Sequence, residues 1–531
     1  MTFRFILTIA LGLGLGQATA ANHTLRVDAG QHERSITPVT FLLPETGSTH
    51  WQLTGPGGKA VAIQADGHGS ASFIVDKRAA FETADYKLAP AVKATHGNAV
   101  NLVEESGKLR ITVGDKTVLH YQAKKSELPR DDLEPIYRRG GYIHPVVTPG
   151  GTVITDDYPQ NHKHHHGIWF PWTNTIFEGR KPDFWNMGKG TGTVEFTGLN
   201  GQWSGPVHAG FSSSHQFVDL IARPDKVALT ETWRVQVYAT GQAYHLFELE
   251  SVQRCAGGSK IQFPEYRYGG LGFRGHGQWD GVENCFYLTA NGESDRIRGH
   301  ATRARWCHIG GRVGGKWGGI GVLCHPSNFR FPQPMRIHPS EPFFNFAPSQ
   351  VGDWEIKPGQ DYVSHYRFVV TDGRPDAELL ERLWRDFAFP PRVEVYAAQS
   401  PPAWPSGLAG SLQKCHRAGC GCDEQQDENR PWLGLAGTDE AVGEVVVVAD
   451  PHRLAKPAAD KDHRDQICQR HGEHKQRSKH KPLLRAGCGV KVGEDRQHGE
   501  QEADDMAAAV AEEHAATREV VRQKAGQRSG E

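Results

Sequence analysis

Short stretches in which apolar and polar residues alternate run through the first three quarters of the chain. Clusters of Gly, Pro, Asn and Asp separate them. Alternation with a period of two, bounded by turn residues, is typical of β-strands that bury one face. The clearest stretches are Val61–Ile63, Leu109–Val113, Val227–Tyr238, Leu246–Val252, Ile320–Cys324 and Tyr362–Val370. The pattern therefore predicts many short strands.

Two local elements can be predicted more closely. Val227–Tyr238 and His245–Val252 are separated by a short polar segment that contains Gly241, which predicts a β-hairpin. Leucines at helical spacing after Pro375 and Asp376 predict a helix over Glu378–Phe387. Strands far outnumber helices, so we expect an all-β fold. Its predicted form is a large antiparallel β-sandwich of the supersandwich kind.

The first 20 residues have the pattern of a secretory signal peptide. Arg4 supplies the positive charge, Phe5–Gly16 the apolar segment, and Ala18-Thr19-Ala20 a cleavage site of small residues. We therefore expect cleavage near Ala20 and a periplasmic or extracellular protein. An uncleaved N-terminal anchor is the alternative.

Composition divides the remaining chain into three regions. Residues 21–125 are β-rich and leave open a small N-terminal β-domain, and residues 126–395 form the predicted sandwich. Residues 396–531 contain neither Phe nor Tyr after Tyr396. A segment so poor in large apolar side chains cannot offset its ordering entropy by burial. It is predicted to be a disordered, low-complexity tail, with a reading-frame error as the alternative.

Charge and cysteine content narrow the function classes. The 531 residues hold 60 Lys and Arg against 61 Asp and Glu, which gives no basic footprint for nucleic acid. No apolar run of about 20 residues follows the signal, so no membrane span is expected once the signal is removed. The body holds four cysteines, which either pair as disulfides or stay buried thiols. They are Cys255, Cys285, Cys307 and Cys324.

Histidines are concentrated in one Gly- and Pro-rich segment, within residues 137–170. These residues predict a loop, and Ile168–Phe170 after it predicts a buried strand. Loops that enter a rigid β-core commonly carry functional groups. The side chains in question are His144, His162, His164, His165 and His166, with Asp156 and Asp157 beside them.

Three roles are open for this histidine segment. Imidazoles at alternate positions of a strand would share one side, so His162 and His164 could bind a divalent metal with Asp157. A histidine could instead act as general acid or base near neutral pH. The third interpretation is a solvated loop with structural hydrogen bonds. The sequence leaves the cofactor unknown, with a divalent metal as one option.

Other candidates lie elsewhere in the chain. Asp183 and Trp185 place a carboxylate beside an aromatic ring, an arrangement that suits a sugar but also an ordinary core edge. Glu265 and Arg274 lie in a glycine-rich segment and are candidates for a catalytic carboxylate and a substrate clamp. His325 and Asn328 follow a predicted strand and could face the same cleft. For Glu265 and Arg274 the structural alternative is a β-hairpin with a surface ion pair. For His325 and Asn328 it is a plain turn.

Several short motifs occur in order over roughly residues 130–390. They are His144-Pro145, Thr148-Pro-Gly-Gly-Thr152, His165-His-Gly-Ile-Trp-Phe170, Asp183-Phe-Trp185, Gly272-Phe-Arg274, Arg305-Trp306, His325-Pro-Ser-Asn328 and Gly373. Together these motifs resemble a bacterial family labelled "methane oxygenase PmoA", a domain of otherwise unknown function. The label implies copper-dependent methane oxidation.

A membrane methane monooxygenase needs several apolar spans, which this sequence lacks. The secreted, aromatic-rich β pattern is more similar to the supersandwich of galactose mutarotases, an analogy at the level of fold. The favoured hypothesis is a secreted hydrolase, lyase or epimerase acting on a carbohydrate or small polyol. His144, His165, His166 and Glu265 would be catalytic. A non-catalytic glycan-binding protein and a metal-dependent oxygenase are the alternatives.

Overall fold

A computed structural model describes residues 22–125 and 127–397. The predicted signal peptide (1–20) and all but the first two residues of the predicted tail (396–531) lie outside the described residues. Those predictions, and the export that depends on the signal, therefore stay predictions. In the described part no helix is long and apolar enough to cross a membrane.

The described chain is built almost entirely of strands. In the first half they are β1 (His23–Asp28), β2 (Thr37–Leu42), β3 (His50–Thr54), β4 (Ala60–Val61), β5 (Ile63–Ala65), β6 (Ser70–Val75), β7 (Thr83–Ala91), β8 (Val100–Glu105), β9 (Lys108–Val113), β10 (Lys116–Gln122), β11 (Tyr142–Val146), β12 (Ile168–Trp169), β13 (Ile176–Phe177) and β14 (Gly192–Trp203). In the second half they are β15 (His208–Asp219), β16 (Lys226–Tyr238), β17 (Tyr244–Cys255), β18 (Ile261–Phe263), β19 (Gly272–Arg274), β20 (Cys285–Thr289), β21 (Trp306–Val313), β22 (Lys316–Cys324), β23 (Met335–Ile337), β24 (Phe343–Phe346), β25 (Trp354–Ile356), β26 (Tyr362–Asp372) and β27 (Arg392–Ala397).

Helices are few in this part of the chain. The α-helices are α1 (Arg296–Gly299) and α2 (Ala377–Ala388). Single 3-10 turns occur at Pro56–Gly58, Pro135–Tyr137, Met187–Lys189, Gly277–Trp279 and Pro348–Val351.

Two large antiparallel sheets form the main body. One has eight strands in the order β14-β15-β16-β17-β26-β22-β21-β20, and the other has eight in the order β23-β24-β19-β12-β11-β10-β9-β8. One continuous apolar core includes side chains from both, among them Trp233 and Leu249 from the first and Ile143 and Ile168 from the second. In β16 the buried positions alternate with exposed ones, as a half-buried strand requires. The predicted large antiparallel sandwich is confirmed.

A second, smaller core is formed by residues between Leu25 and Leu88. Its strands are arranged as a sheet of order β27-β1-β7-β3-β4 and one of order β2-β6-β5. The predicted boundary at residues 125/126 falls between β10 and β11, which pair within the second large sheet. A buried ion pair of Arg34 and Asp386, 3.0 Å apart, connects the N-terminal part to α2.

The local predictions agree with the structure. β16 and β17 form the expected hairpin, paired from Leu229–Cys255 to Tyr238–Leu246. α2 covers the predicted helix, and the Asp376 carboxylate caps it by accepting a hydrogen bond from the Leu379 amide. The cysteines at 255, 285, 307 and 324 are all free, which decides between the two alternatives left by the sequence.

Candidate functional site

The histidine loop, which we define as Asp156–His166, lies between β11 and β12 in the middle of the second large sheet. It is held by turns: the His162 amide donates to the Pro159 carbonyl at 3.1 Å, and the His165 amide to the His162 carbonyl at 2.8 Å. The predicted loop is therefore confirmed. The metal-site hypothesis assumed a strand over His162–His166, with alternate imidazoles on one side. No such strand forms at these described residues, because the turns reverse the chain locally.

A pair of residues in the loop forms a histidine–carboxylate dyad. His166 is fully buried, and its Nδ1 lies 2.6 Å from Asp157 Oδ1. The Tyr142 hydroxyl donates to the other Asp157 oxygen at 2.8 Å. Since an ionised carboxylate only accepts hydrogen bonds, this contact places the imidazole proton on Nδ1. Nε2 then carries the lone pair, and it has no hydrogen-bond partner among the described residues.

Packing fixes the orientation of the dyad. The His166 ring stacks on Tyr142 at 4.2 Å between centroids and meets the Tyr158 edge at 4.8 Å. Burial lowers the pKa of His166 below its ordinary value, and the contact with Asp157 opposes this only in part. His166 is therefore neutral near pH 7, the state in which an imidazole can accept a proton.

His144 lies on β11 beside the dyad. Its Nδ1 is 3.0 Å from the Thr155 hydroxyl, which itself accepts a hydrogen bond from the Val146 amide. Burial lowers the pKa of His144, while the charges of Asp157 and Asp156 raise it by a smaller amount. The structure thus brings His144 into the same electrostatic environment as His166.

Arg274 is the centre of a second polar group. Its guanidinium is fully buried, donates to Glu341 Oε2 at 2.6 Å and to Asp280 Oδ1 at 2.9 Å, and contacts Asn161 at 3.4 Å. His162 Nδ1 lies 2.9 Å from the same Glu341 oxygen. Although burial favours the neutral acid, His162 and Arg274 together lower the pKa of Glu341 to about 2.

The remaining loop histidines border an aromatic cluster. His165 is buried, stacks on His162 at 4.6 Å and on Phe343 at 4.9 Å, and contacts Trp169 at 5.1 Å. The rings of His164 and His165 meet edge to face at 4.8 Å. Burial is the main cause that lowers the pKa of His164 to about 4 and that of His165 well below its ordinary value. Both are neutral ring systems at pH 7.

The residues expected to hold a metal do not form a ligand set. His162 Nδ1 faces Glu341, and the His162 and His164 ring centroids are 5.7 Å apart. Within residues 22–125 and 127–397, no group of three or more His, Cys, Asp or Glu side chains is arranged to hold a metal ion. We therefore derive no chemistry through a metal here.

Asp183 and Trp185, which were predicted to bind substrate, lie next to this cluster. The buried Asp183 carboxylate accepts from the amides of Trp185 and Asn186 and from Lys189, at 3.1, 2.9 and 2.7 Å. Burial opposes ionisation, but these donors lower the pKa of Asp183. Trp185 is buried against Trp169, 5.0 Å away, and meets His165 edge to face at 6.0 Å.

Glu265, His325 and Asn328 have other surroundings. Glu265 is exposed, and its amide donates to Asp353 at 2.7 Å. His325 is buried, with Nδ1 2.7 Å from the Ser327 hydroxyl and its ring 4.8 Å from Phe387 of α2. Asn328 is buried and exchanges hydrogen bonds with the His365 backbone at 2.9 and 2.7 Å. These contacts are made with residues outside the histidine loop.

Three functional candidates were missed by sequence reasoning. Tyr142 lies in the quoted histidine segment, but nothing in its pattern predicts that it binds Asp157. Glu341 and Asp280 lie 67 and 6 residues from Arg274 along the chain and meet it only in space. The one signal for Glu341 is its place between two prolines in a turn, at Pro339-Ser340-Glu341-Pro342.

Comparisons with known proteins bear on the family and not on the chemistry. No curated protein matches. Among solved structures, an alpha-mannosidase from Enterococcus faecalis V583 aligns at 11% identity and a TM-score of 0.33, over 71% of this chain and 46% of that one. The chain thus spans under half the length of that protein, and so slight a likeness carries no argument about activity.

A family model matches residues 108–385, more than half of the chain, and its description is a family of unknown function (DUF6807). The match covers the histidine loop, Arg274 and Glu341. Neither the description of this family nor that of the aligned structure names a methane oxygenase or a mutarotase, so both resemblances stay predictions. The chain belongs to this family of unknown function.

Proposed function

We propose that the protein is an acid–base enzyme that acts on a carbohydrate or related polyol, with His166 as the proton-transferring group. The observation that carries the proposal is the dyad of His166 and Asp157. The carboxylate fixes one ring nitrogen as a donor and leaves the other, Nε2, without a partner. Other buried histidines, such as His308 and His245, also have an unpaired ring nitrogen. His166 differs from these two because a carboxylate holds its other nitrogen, which is the arrangement that prepares Nε2 to accept a proton.

The dyad supports a defined chemical role. Asp157 holds the ring in one tautomer and would stabilise the imidazolium that forms when Nε2 takes a proton. The Tyr142 hydroxyl keeps Asp157 oriented. Because Nε2 is covered in this conformation, contact with a substrate requires a movement of the histidine loop. Proton abstraction by a neutral imidazole serves a hydrolase, a lyase or an epimerase.

Arg274 and Glu341 support a substrate rich in hydroxyl groups. Glu341 stays ionised at neutral pH, since its pKa is held near 2, so it acts as a hydrogen-bond acceptor and not as a proton donor. Asn161 and Asp280 add further polar atoms, and both residues are exposed. Polar groups of both signs beside aromatic rings are a common means of holding a sugar.

The experiment is a turnover and binding screen on polysaccharides, oligosaccharides and free sugars. The wild type is compared with His166→Asn and with Asp157→Asn, which keeps the shape of the carboxylate. We expect both to lower turnover by about 10²–10⁴-fold, the usual contribution of a positioned acid–base group, with little change in affinity. His68→Asn, which alters an exposed histidine in a turn, is the matched control.

Two results would contradict the proposal. Undiminished turnover in folded His166→Asn would remove His166 from the mechanism. Binding without turnover of any screened compound by the wild type would favour the alternative of a non-catalytic glycan-binding protein. A pH profile adds an independent check, because activity should fall as the pH drops through the lowered pKa of His166 and the ring becomes protonated.

A further inference from the structure

A separate cleft opens near the histidine loop. It has a volume of about 240 Å³ and is lined by Glu265, Tyr266, Arg267, His300, Ala301 and Gln350. Glu265 is its one carboxylate. Arg267 is exposed, and its guanidinium lies 5.6 Å from the centroid of the Tyr268 ring. The cleft therefore combines a cation with aromatic faces.

A second arginine stands behind this lining. Arg336 on β23 is half-buried, and its Nη1 lies 3.4 Å from His300 Nε2. Burial lowers the pKa of Arg336, and the charge of Arg267 lowers it further. Burial also lowers the pKa of His300. The charge of Arg336 lowers it further, and the charge of Arg267 does so to a smaller extent. Three basic groups thus act on one another.

Neither arginine forms an ion pair within residues 22–125 and 127–397, and Glu341 raises the pKa of Arg336 by less than burial and Arg267 lower it. Among the described residues, no Asp or Glu oxygen lies within ion-pair distance of Arg267 or Arg336, whereas most other arginines of the body have such a partner. Two guanidinium groups that repel each other, one of them half-buried, are costly without an anion. This arrangement is expected where the anion comes from a ligand.

Contacts join the cleft to the candidate site. The Tyr268 ring meets Trp185 edge to face at 5.1 Å, and Trp185 meets His165 at 6.0 Å. On the other side, His338 lies two residues after Arg336, and its ring is 6.0 Å from that of His162. These contacts place the cleft within a few side chains of the histidine loop, although Trp185 and His165 are themselves buried. An extended saccharide that binds at both places would have to pass over these residues.

We propose that the substrate is an acidic saccharide whose oxyanion, a carboxylate or a sulfate ester, is bound by Arg267 and Arg336 beside Tyr266 and Tyr268. This inference rests on the proposed function and names its substrate class. Planar guanidinium groups match both oxyanions, and tyrosine faces take the sugar ring. Glu265 would repel an oxyanion placed next to it, so the acidic group of the ligand is expected on the side of the two arginines.

The test measures binding of defined probes to the full chain by calorimetry. The carboxylate probes are oligomers of galacturonate, mannuronate–guluronate and hyaluronan, each beside its carboxyl-reduced neutral form. The sulfate probes are sulfated oligosaccharides beside their desulfated forms. We expect at least one acidic probe to bind more tightly than its neutral form. Raising the ionic strength should weaken that preference.

Two variants locate the effect. Arg267→Gln, on an exposed loop, and Arg336→Gln should each weaken binding of the preferred acidic probe about ten- to a hundredfold, the range of a lost charge-assisted hydrogen bond. Affinity for the neutral form should not change. Arg254→Gln, which alters an exposed arginine paired with Asp361, is the control. The exposed Arg267 keeps the test valid even if the Arg336 variant fails to fold.

The outcomes separate this inference from the proposed function. If no acidic probe binds better than its neutral form, or if both arginine variants bind as the wild type does, the inference is overturned, whatever the turnover screen gives. If acidic probes bind through the arginines but no compound is turned over, the inference stands and the enzyme proposal fails. The set of probes that responds, uronate or sulfate, identifies the oxyanion.

Discussion

Glu341 offers the sharpest test of how the candidate site is held together. Glu341→Gln keeps the side-chain shape but removes the charge that faces Arg274 and His162, at 2.6 and 2.9 Å. Arg274 is fully buried and, of the carboxylates that the structure describes, would retain only Asp280 as an ion-pair partner. We expect a loss of folding stability that depends on pH.

The magnitude follows from the pKa of Glu341, which drops from an ordinary value of 4.5 to about 2 on folding. Such a shift corresponds to roughly 3 kcal/mol, and partial solvent access reduces this to about 2 kcal/mol. A depressed carboxyl pKa stabilises the fold above pH 4.5 and loses this effect as the pH falls through 2. At pH 3 about two-fifths of the effect remains by proton linkage.

Urea unfolding followed by tryptophan fluorescence at pH 7, 5, 4 and 3 measures this difference. At each pH the free energy of unfolding of the variant is subtracted from that of the wild type. This difference removes the contributions of titrating groups that the substitution does not affect. Glu127→Gln, which alters a highly exposed partner of Arg138, should change little and is the control. A Glu341→Gln variant as stable as the wild type at pH 7, or equally destabilised at every pH, would refute the reasoning.

Three further predictions concern stability. Arg34→Met should lower the free energy of unfolding, measured in urea, by about 3–5 kcal/mol, because it leaves Asp386 buried and unpaired. Adding Asp386→Leu to this variant should recover much of the lost stability. If the two substitutions instead lower the stability additively, the prediction is wrong. Gly167→Ala should lower Tm, since a Cβ there would lie 2.4 Å from the Ile143 carbonyl oxygen; an unchanged Tm in differential scanning calorimetry would show that β11 can yield. His308 is buried, neither of its ring nitrogens has a hydrogen-bond partner within the described residues, and burial lowers its pKa to about 3. It is neutral when folded but takes up a proton when unfolded below about pH 6.5, so it costs up to about 1.4 kcal/mol per pH unit between pH 6.5 and 3. His308→Leu should flatten that acid-side loss of stability in urea titrations, and an unchanged slope would contradict the assignment.

Much of the fold could be predicted because its signals are local. The alternation over Val227–Tyr238 indicates which face of β16 is buried, and Asp376 indicates where α2 begins. Such patterns depend on residues within one or two turns of each other. The order of strands in a sheet depends instead on residues that are far apart in the chain. No local pattern therefore indicates that β12 pairs with β19, more than 100 residues later.

The candidate site shows the same division. The density of histidines in residues 137–170 indicated its position, and His144, His165 and His166 do lie together there. Glu265 also looked suitable by residue type, but its strand connection directs it to the Arg267 cleft instead. Tyr142 contacts the loop from β11 and Glu341 from the turn before β24, and both positions depend on the pairing of strands that are distant in the chain.

The sequence alone thus determined the class of fold, the helix, the hairpin and the loop that gathers the histidines, because each depends on spacing between near neighbours. The tertiary structure is needed to see that Asp157 contacts His166, that Arg274 pairs with Glu341, and that Arg267 and Arg336 have no carboxylate partner among the described residues. Those facts depend on distances of a few ångströms between distant parts of the chain. Burial then sets the pKa of each group, because desolvation acts only once the fold has closed around it.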